Sequence, residues 1–381
     1  MNKKLKIIYL IGFCLSTAYA FTAYINSTYL ESFVPPQFVG LIFSAAALLA
    51  VVCLSEIPKL LSRKGNYKIS FWLTLLFLAT LLGLSTAKSP FLVVIFFLSF
   101  LVLNYLLIFT RDIFIQSYSN KQTTGETRGV LLTAINIGWI FAPLIATFVL
   151  EKFGYRSVYI LAIIFSLPTL LLLISNFGDF KDQVYEKIPF WKTIRKIMAD
   201  KNIRDIYFAN FLLQFFYSWM VIYTPIYLHE FMNFSWTEIG FLFVPMLLPF
   251  VLLQYPLGKL SDKIGEKKML YGGFAVMAVS TTILSFLFGS SIFVWALLLF
   301  MTRVGAATIE VMTESYFFKK VSARQDETIS FFRNTAPISF ILGPILAGIF
   351  FFFFPFQYLF LALGIIMLLG IYFTKQLKDT V

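Results

Sequence analysis

Twelve times along this chain a run of mostly apolar residues long enough to cross a bilayer is followed by a polar break, and no other feature narrows the possible folds so far. A hydrocarbon layer roughly 30 Å thick takes about 20 helical residues to cross, and within it every backbone N–H and C=O must be satisfied inside the segment. The pattern predicts spans over residues 5–27, 37–57, 69–87, 91–118, 129–150, 156–177, 205–228, 237–257, 269–288, 291–318, 328–353 and 355–374. Six lie before the polar stretch 178–204 and six after it. The expected fold is therefore an all-α integral membrane protein of two six-helix bundles, 1–177 and 205–381, joined by a linker at 178–204. With 59% of residues hydrophobic, 13% charged and 47 Phe among 381, the chain has too little polar surface to cover a water-soluble globule.

The halves repeat one another. Gly258–Lys268 reads GKLSDKIGEKK and Pro58–Lys68 reads PKLLSRKGNYK, with Lys59/Lys259, Leu60/Leu260, Arg63/Lys263, Gly65/Gly265 and Lys68/Lys268 in register. The same offset joins Gly40 to Gly240, and an offset of 201 joins Glu126, Thr127 and Pro143 to Glu327, Thr328 and Pro344. A repeat this long predicts a doubled, pseudo-symmetric unit.

Charge then sets orientation. With both termini cytoplasmic, 25 of the 31 Lys and Arg fall on the inner side, Arg128 and Lys319 among them as loop charges. Lys88, Lys152 and Arg156 fall outside, and Arg111, Arg303 and Arg333 lie within spans. This is the positive-inside pattern of a multi-pass protein of the cell's cytoplasmic membrane, so the net charge of +12 reports topology and not nucleic-acid binding. The opening MNKKLK, an apolar run and Ala18-Tyr19-Ala20 have the layout of a secretory signal. The segment is read as span 1, because its removal would delete the counterpart of the span that opens the second half. In the linker, Phe190, Trp191, Ile194, Ile197 and Met198 recur at helical spacing and predict an amphipathic helix on the membrane surface. Cys14 and Cys53 sit in apolar runs, His229 is alone, and no G-x4-GK-[ST] loop occurs. Neither a disulfide framework, a metal site, a cofactor nor an enzyme centre is expected.

Charged residues inside spans are costly and are functional candidates. They are Arg111 and Asp112 on span 4, Arg303, Glu310 and Glu314 on span 10, and Arg333 at the start of span 11. Aligning Ser117-Tyr118 with Ser315-Tyr316 sets Asp112 opposite Glu310 and Gln116 opposite Glu314. At about 100° per residue, Arg303, Glu310 and Glu314 share one face of their helix. Two readings stand. The acids carry a coupling proton, or they pair with Arg111, Arg333 or the basic loops to latch the inner side shut. Arg303, nearer mid-membrane, suits an anionic substrate group or a carboxylate from another helix.

Six plus six spans, a central linker and the loop G-x-L-x-D-[KR]-x-G-x-[KR]-[KR] between spans 8 and 9 resemble the major facilitator superfamily. Gly258, Leu260, Asp262, Lys263, Gly265, Lys267 and Lys268 match the family's cytoplasmic loop motif, while the first-half copy departs from it at Pro58 and Ser62, with Glu56 close enough to substitute for the missing acid. On span 5, Gly129, Gly138, Ala142-Pro143 and Ala146-Thr147 are similar to the family's antiporter motif G-x8-G-x3-GP-x2-GG. Span 11 repeats it loosely as Ser330, Ser339, Gly343-Pro344 and Ala347-Gly348. Small residues there would let helices approach closely and the prolines would bend them. Phe153-Gly154-Tyr155-Arg156 resembles the family's FGWR turn.

The resemblance implies that spans 1, 4, 7 and 10 line a central cavity. That makes Tyr19, Tyr24, Asn104, Tyr105, Asn210, Gln214, Tyr217 and Arg303 candidate substrate-facing residues. It further implies a secondary transporter working by alternating access, with a small organic molecule, protons or another coupling ion, and the lipid bilayer as partners, in a monomer. Efflux by antiport is the leading expectation. Uptake of a sugar or organic anion by symport or uniport, and a non-transporting receptor or scaffold on the same fold, are the alternatives.

Overall fold

Helix forms over each of the twelve predicted spans in the computed structural model, which describes residues 3–23, 25–182, 190–234, 236–287 and 291–380. In chain order the α-helices are α1 (Lys3–Ala23), α2 (Asn26–Glu31), α3 (Pro36–Lys64), α4 (Asn66–Thr86), α5 (Pro90–Tyr118), α6 (Thr124–Phe177), α7 (Phe190–Ala199), α8 (Lys201–Ile226), α9 (Trp236–Leu252), α10 (Gln254–Ile264), α11 (Lys267–Leu284), α12 (Ile292–Lys320), α13 (Asp326–Arg333), α14 (Thr335–Phe353) and α15 (Leu359–Gln376). No strand occurs among the described residues. Among the described residues, ten stretches are long and apolar enough to cross a membrane. Phe352 is 84% exposed and Phe293 81%, an outer surface suited to lipid and not to water.

Backbone chemistry explains where helices stop. Spans 5 and 6 form the single element α6, divided at Gly154, the one residue inside it with non-helical angles (φ 74°, ψ 177°). A Cβ on Gly154 would meet nothing within 4 Å, so the glycine is there for its left-handed φ alone. Both loop-motif copies turn on a glycine at φ 80°, Gly65 between α3 and α4 and Gly265 between α10 and α11. Spans 8 and 11 each split in two, at Leu253 and at Asn334. Each break falls three residues before a proline, Pro256 or Pro337, whose missing N–H leaves the carbonyl of Leu252 or Arg333 without its helical donor. The bend expected at Pro344 is not where the helix yields, because α14 runs through that residue unbroken. The backbone of α6 likewise keeps helical angles at position 143, and the Pro143 side chain lies outside the described residues.

Contacts divide the chain into two compact units. The first comprises Met1–Ser119, Ala134–Thr193 and Val321–Pro337; the second comprises Asn120–Thr133, Ile194–Lys320 and Ile338–Val381. Each takes most of one sequence half together with a short segment of the other. In the first unit, Ala20, Phe21 and Ile25 pack on Ala142, Ala146 and Val158, setting α1 against both arms of α6. In the second, Trp219, Tyr227, Trp295 and Tyr316 are buried. The linker helix forms as α7, with Thr193 and Ile197 buried and Lys192 and Arg195 exposed.

Candidate functional site

In the second unit the loop motif closes on the start of α6. A helix leaves its first N–H groups without intrahelical partners, and the partial positive charge there favours a carboxylate. Asp262, near the end of α10, supplies one: its Oδ1 accepts from Gly125 N at 2.9 Å and its Oδ2 from Glu126 N at 2.8 Å. Glycines permit the approach. A Cβ on Gly258 would stand 2.3 Å from the Gly125 carbonyl oxygen, and one on Gly129 2.5 Å from the carbonyl oxygen of Gln254. Lys319 Nζ bridges Asp262 at 3.0 Å and Glu266 at 2.6 Å. One turn further on, Arg128 Nη1 lies 3.5 Å from Glu314 Oε2, and its guanidinium sits 3.3 Å over the Phe318 ring. Arg128 is 1% exposed, so it is not the loop charge that the sequence suggested. Lys319, at 9% side-chain exposure inside α12, is not one either.

The first unit repeats this arrangement with α13 against α3. The Ser330 hydroxyl donates to the Leu54 carbonyl, as Gly129 meets that of Gln254. The residues correspond at offsets of 201 and 200. The capping acid is absent, since Ser62 stands at the place of Asp262, and Glu56 does not substitute for it: its carboxylate pairs with Lys59 at 2.6 Å on the exposed surface. Instead α13 carries Asp326 and Glu327, both buried, in its own first turn. Arg333 Nε reaches Asp112 Oδ2 at 2.5 Å, and Arg111 Nη2 lies 3.9 Å from Oδ1. Asp112 is fully buried.

The two ion pairs are related but have slipped. Arg128 corresponds to Ile329 and Arg333 to Leu132, while Glu314 corresponds to Gln116 and Asp112 to Glu310. Both members of the Arg333–Asp112 pair therefore sit one helical turn deeper than those of Arg128–Glu314. Gln116, at the vacated acid position, donates its amide to the Val321 carbonyl at 2.6 Å.

At the deeper level of the second unit, Glu310 Oε2 accepts from Gln254 Nε2 at 2.5 Å. Arg303 is 3% exposed, with its guanidinium 5.2 Å from the Phe216 ring centre and 5.9 Å from that of Tyr217. Asn210, buried, accepts from Thr313 at 3.4 Å, and Gln214 is half-buried on the same face of α8. In the first unit, Tyr19 stacks on Phe100 at 5.7 Å and tilts against Trp139 at 5.9 Å, and Asn104 and Tyr105 are half-buried on α5. Tyr24 lies outside the described residues. Gly138 abuts Thr17 and Gly343 abuts Ser218, at matching crossings of α6 on α1 and of α14 on α8; a Cβ would fall 2.2 Å from the hydroxyl oxygen in each. Trp219 Nε1 donates to the Gly343 carbonyl at 2.8 Å. Lys263 and Lys268 point to solvent and Lys267 is half-buried. Arg128, Gln254, Glu266 and Lys319 went unselected in the sequence, although position 128 directly precedes Gly129, where the span 5 motif begins.

The family model described as Major Facilitator Superfamily matches residues 8–251 and 206–379. An uncharacterised MFS-type transporter of Methanocaldococcus jannaschii is 22% identical over 250 residues, 62% of this chain and 61% of that one. A probable vesicular acetylcholine transporter of Danio rerio is 21% identical over 165 residues, 43% of this chain and 34% of that one. The chain thus matches about three fifths of the archaeal relative's length and about a third of the zebrafish one's. The crystal structure of the human organic anion transporter MFSD10 aligns with a TM-score of 0.84 at 14% identity, covering 98% of this chain and 100% of that one.

Proposed function

We propose a function from one premise: this chain belongs to the major facilitator superfamily. It moves a small organic molecule across the membrane by alternating access, and it couples efflux of that molecule to inward movement of protons. The observation that supports this reading is the slipped pair of ion pairs, Arg128–Glu314 and Arg333–Asp112. Each joins a cation from the start of span 5 or 11 to an acid on span 10 or 4, across the two sequence halves. Separating buried opposite charges costs several kcal/mol unless each gains a new partner or one is neutralised. Such pairs suit a cytoplasmic latch that holds and then releases.

Glu310 takes the other role. It stands at Asp112's place in the repeat, one helical turn deeper than Glu314, and its carboxylate accepts from the Gln254 amide. Asp112 and Glu314 are latch acids, and Glu310 is the proton-carrying acid. Arg303 lies seven residues away, about 10 Å along the helix. Together with the Phe216 and Tyr217 rings it forms the substrate face. The cargo is an amphipathic organic ion, a class to which the names of the zebrafish and human proteins also point.

The test is proton movement in proteoliposomes carrying an internal pH dye, with a panel of amphipathic amines and carboxylates as substrates. Wild type should give a substrate-dependent proton signal, and Glu310→Gln should lose it while keeping substrate affinity within about tenfold. A proton signal that survives in Glu310→Gln removes the assignment. Proton and substrate moving in the same direction would replace antiport with symport.

A further inference from the structure

The loop-motif glycines Gly65 and Gly265 share a second feature. A Cβ on Gly65 would strike the carboxylate of Asp182, and one on Gly265 that of Asp379, at 2.0 Å from Oδ1. Asp182 follows span 6 and Asp379 follows span 12, each directly after a lysine. Asp182 Oδ1 accepts from Asn66 N at 2.7 Å; Asp379 Oδ1 accepts from Glu266 N at 3.1 Å. In both repeats the segment after the last span caps the start of the third. Glycine is required at both turns by its φ of 80°, and the carboxylates lie against its bare Cα face.

Only the second copy leads further. The Thr380 hydroxyl donates to Glu266 Oε2, while Glu266 Oε1 receives Ser315 Oγ at 2.8 Å and Lys319 Nζ at 2.6 Å. Lys319 also holds Asp262, which caps the first turn of α6. The tail itself is pinned by Tyr316 Oη on the Lys378 carbonyl at 2.7 Å and by Asn202 Oδ1 on the Lys378 N–H at 2.9 Å. In the first repeat Asn66 and Ser62 replace Glu266 and Asp262, so both intermediate carboxylates are missing.

We propose that Asp379 and Thr380 are positioning residues for the latch. By fixing Glu266 they set Lys319, and through it Asp262, against the first turn of α6, so that the C-terminal segment governs how readily that turn lets go. The proposal rests on the reading that this turn is released during transport, but its test does not use transport. Amide hydrogen exchange of the full-length protein in lipid nanodiscs reads the Gly125 and Glu126 N–H groups that Asp262 protects. Asp379→Asn should speed exchange over residues 124–127 by about tenfold, and Thr380→Val should do so by a smaller factor in the same direction. Asp182→Asn should leave that segment unchanged. Faster exchange at residues 266–268 with none at 124–127 in both variants would break the connection, and an equal response to Asp182→Asn would reduce it to general loosening. If exchange responds as expected while Glu310→Gln keeps its proton signal, the positioning role stands and the coupling assignment falls; the converse result separates them the other way.

Discussion

Arg333→Ala is expected to destabilise the protein by about 3–5 kcal/mol, because it breaks a buried ion pair by removing one partner. Asp112 has no exposed surface, and the Arg333 guanidinium supplies its 2.5 Å contact. Arg111, on the adjacent residue of the same helix, has its Nη2 3.9 Å from Asp112 Oδ1. Thermal unfolding of the detergent-solubilised protein measures the loss. The companion variant is Arg333→Met with Asp112→Leu, which removes both charges and fills similar volume. It should recover most of the stability, since a buried pair contributes little net against a well-packed apolar replacement. It should not recover transport if the pair is the latch, and that divergence between stability and activity separates a device from ordinary packing. Arg128→Ala should cost less, as its contact to Glu314 is 3.5 Å, although it also loses its seat over Phe318. A double variant no more stable than Arg333→Ala would mean that the charges are not what holds α13 in place.

The contrast between these pairs also shows what a sequence can and cannot carry. Spans were legible because hydrocarbon imposes a length and a composition on every crossing, and the repeat was legible because Gly65 and Gly265 must both adopt φ 80°. Helix breaks were partly legible. Proline alone was not a sufficient signal: helix breaks precede Pro256 and Pro337, whereas Pro58, Pro245, Pro249 and Pro344 lie inside unbroken helices. The acids Asp112, Glu310 and Glu314 stood out as charge in apolar surroundings, whereas Arg128 did not. It sits at the end of a polar turn, where one more arginine looks solvated, and its partner is 186 positions away. The slip of one turn between the two ion pairs was hidden for the same reason: alignment of the repeat pairs Arg128 with Ile329 and Arg333 with Leu132, so each cation looks unmatched until the helices are laid side by side. Asp379 and Asp182 lie outside every motif, in segments whose only signal was a shared Lys-Asp pair.

Gly258→Ala is expected to act on the same latch from the packing side. The added methyl would stand 2.3 Å from the Gly125 carbonyl oxygen, 3.0 Å from its carbon and 3.1 Å from Gly129 Cα. All three are backbone atoms, so no rotamer change can relieve the clash and α10 must move off α6. Overpacking of this kind costs about 1–3 kcal/mol. The movement also lengthens the Asp262 contacts to Gly125 and Glu126, which now stand at 2.9 and 2.8 Å. On the proposed latch reading the penalty falls on this arrangement, and the released one should gain population by about 5- to 150-fold. Gly138→Ala and Gly343→Ala should be milder, since the nearest atoms there are the Thr17 and Ser218 hydroxyls, and Gly138→Ala should be relieved by Thr17→Ala. Gly272→Ala is the control, because its methyl would meet nothing within 4 Å. Exchange protection over residues 124–127 gives the ranking directly. Should Gly258→Ala match Gly272→Ala, the close approach of α10 to α6 would not be what restrains release, and the restraint would pass to Lys319 and Arg128 alone.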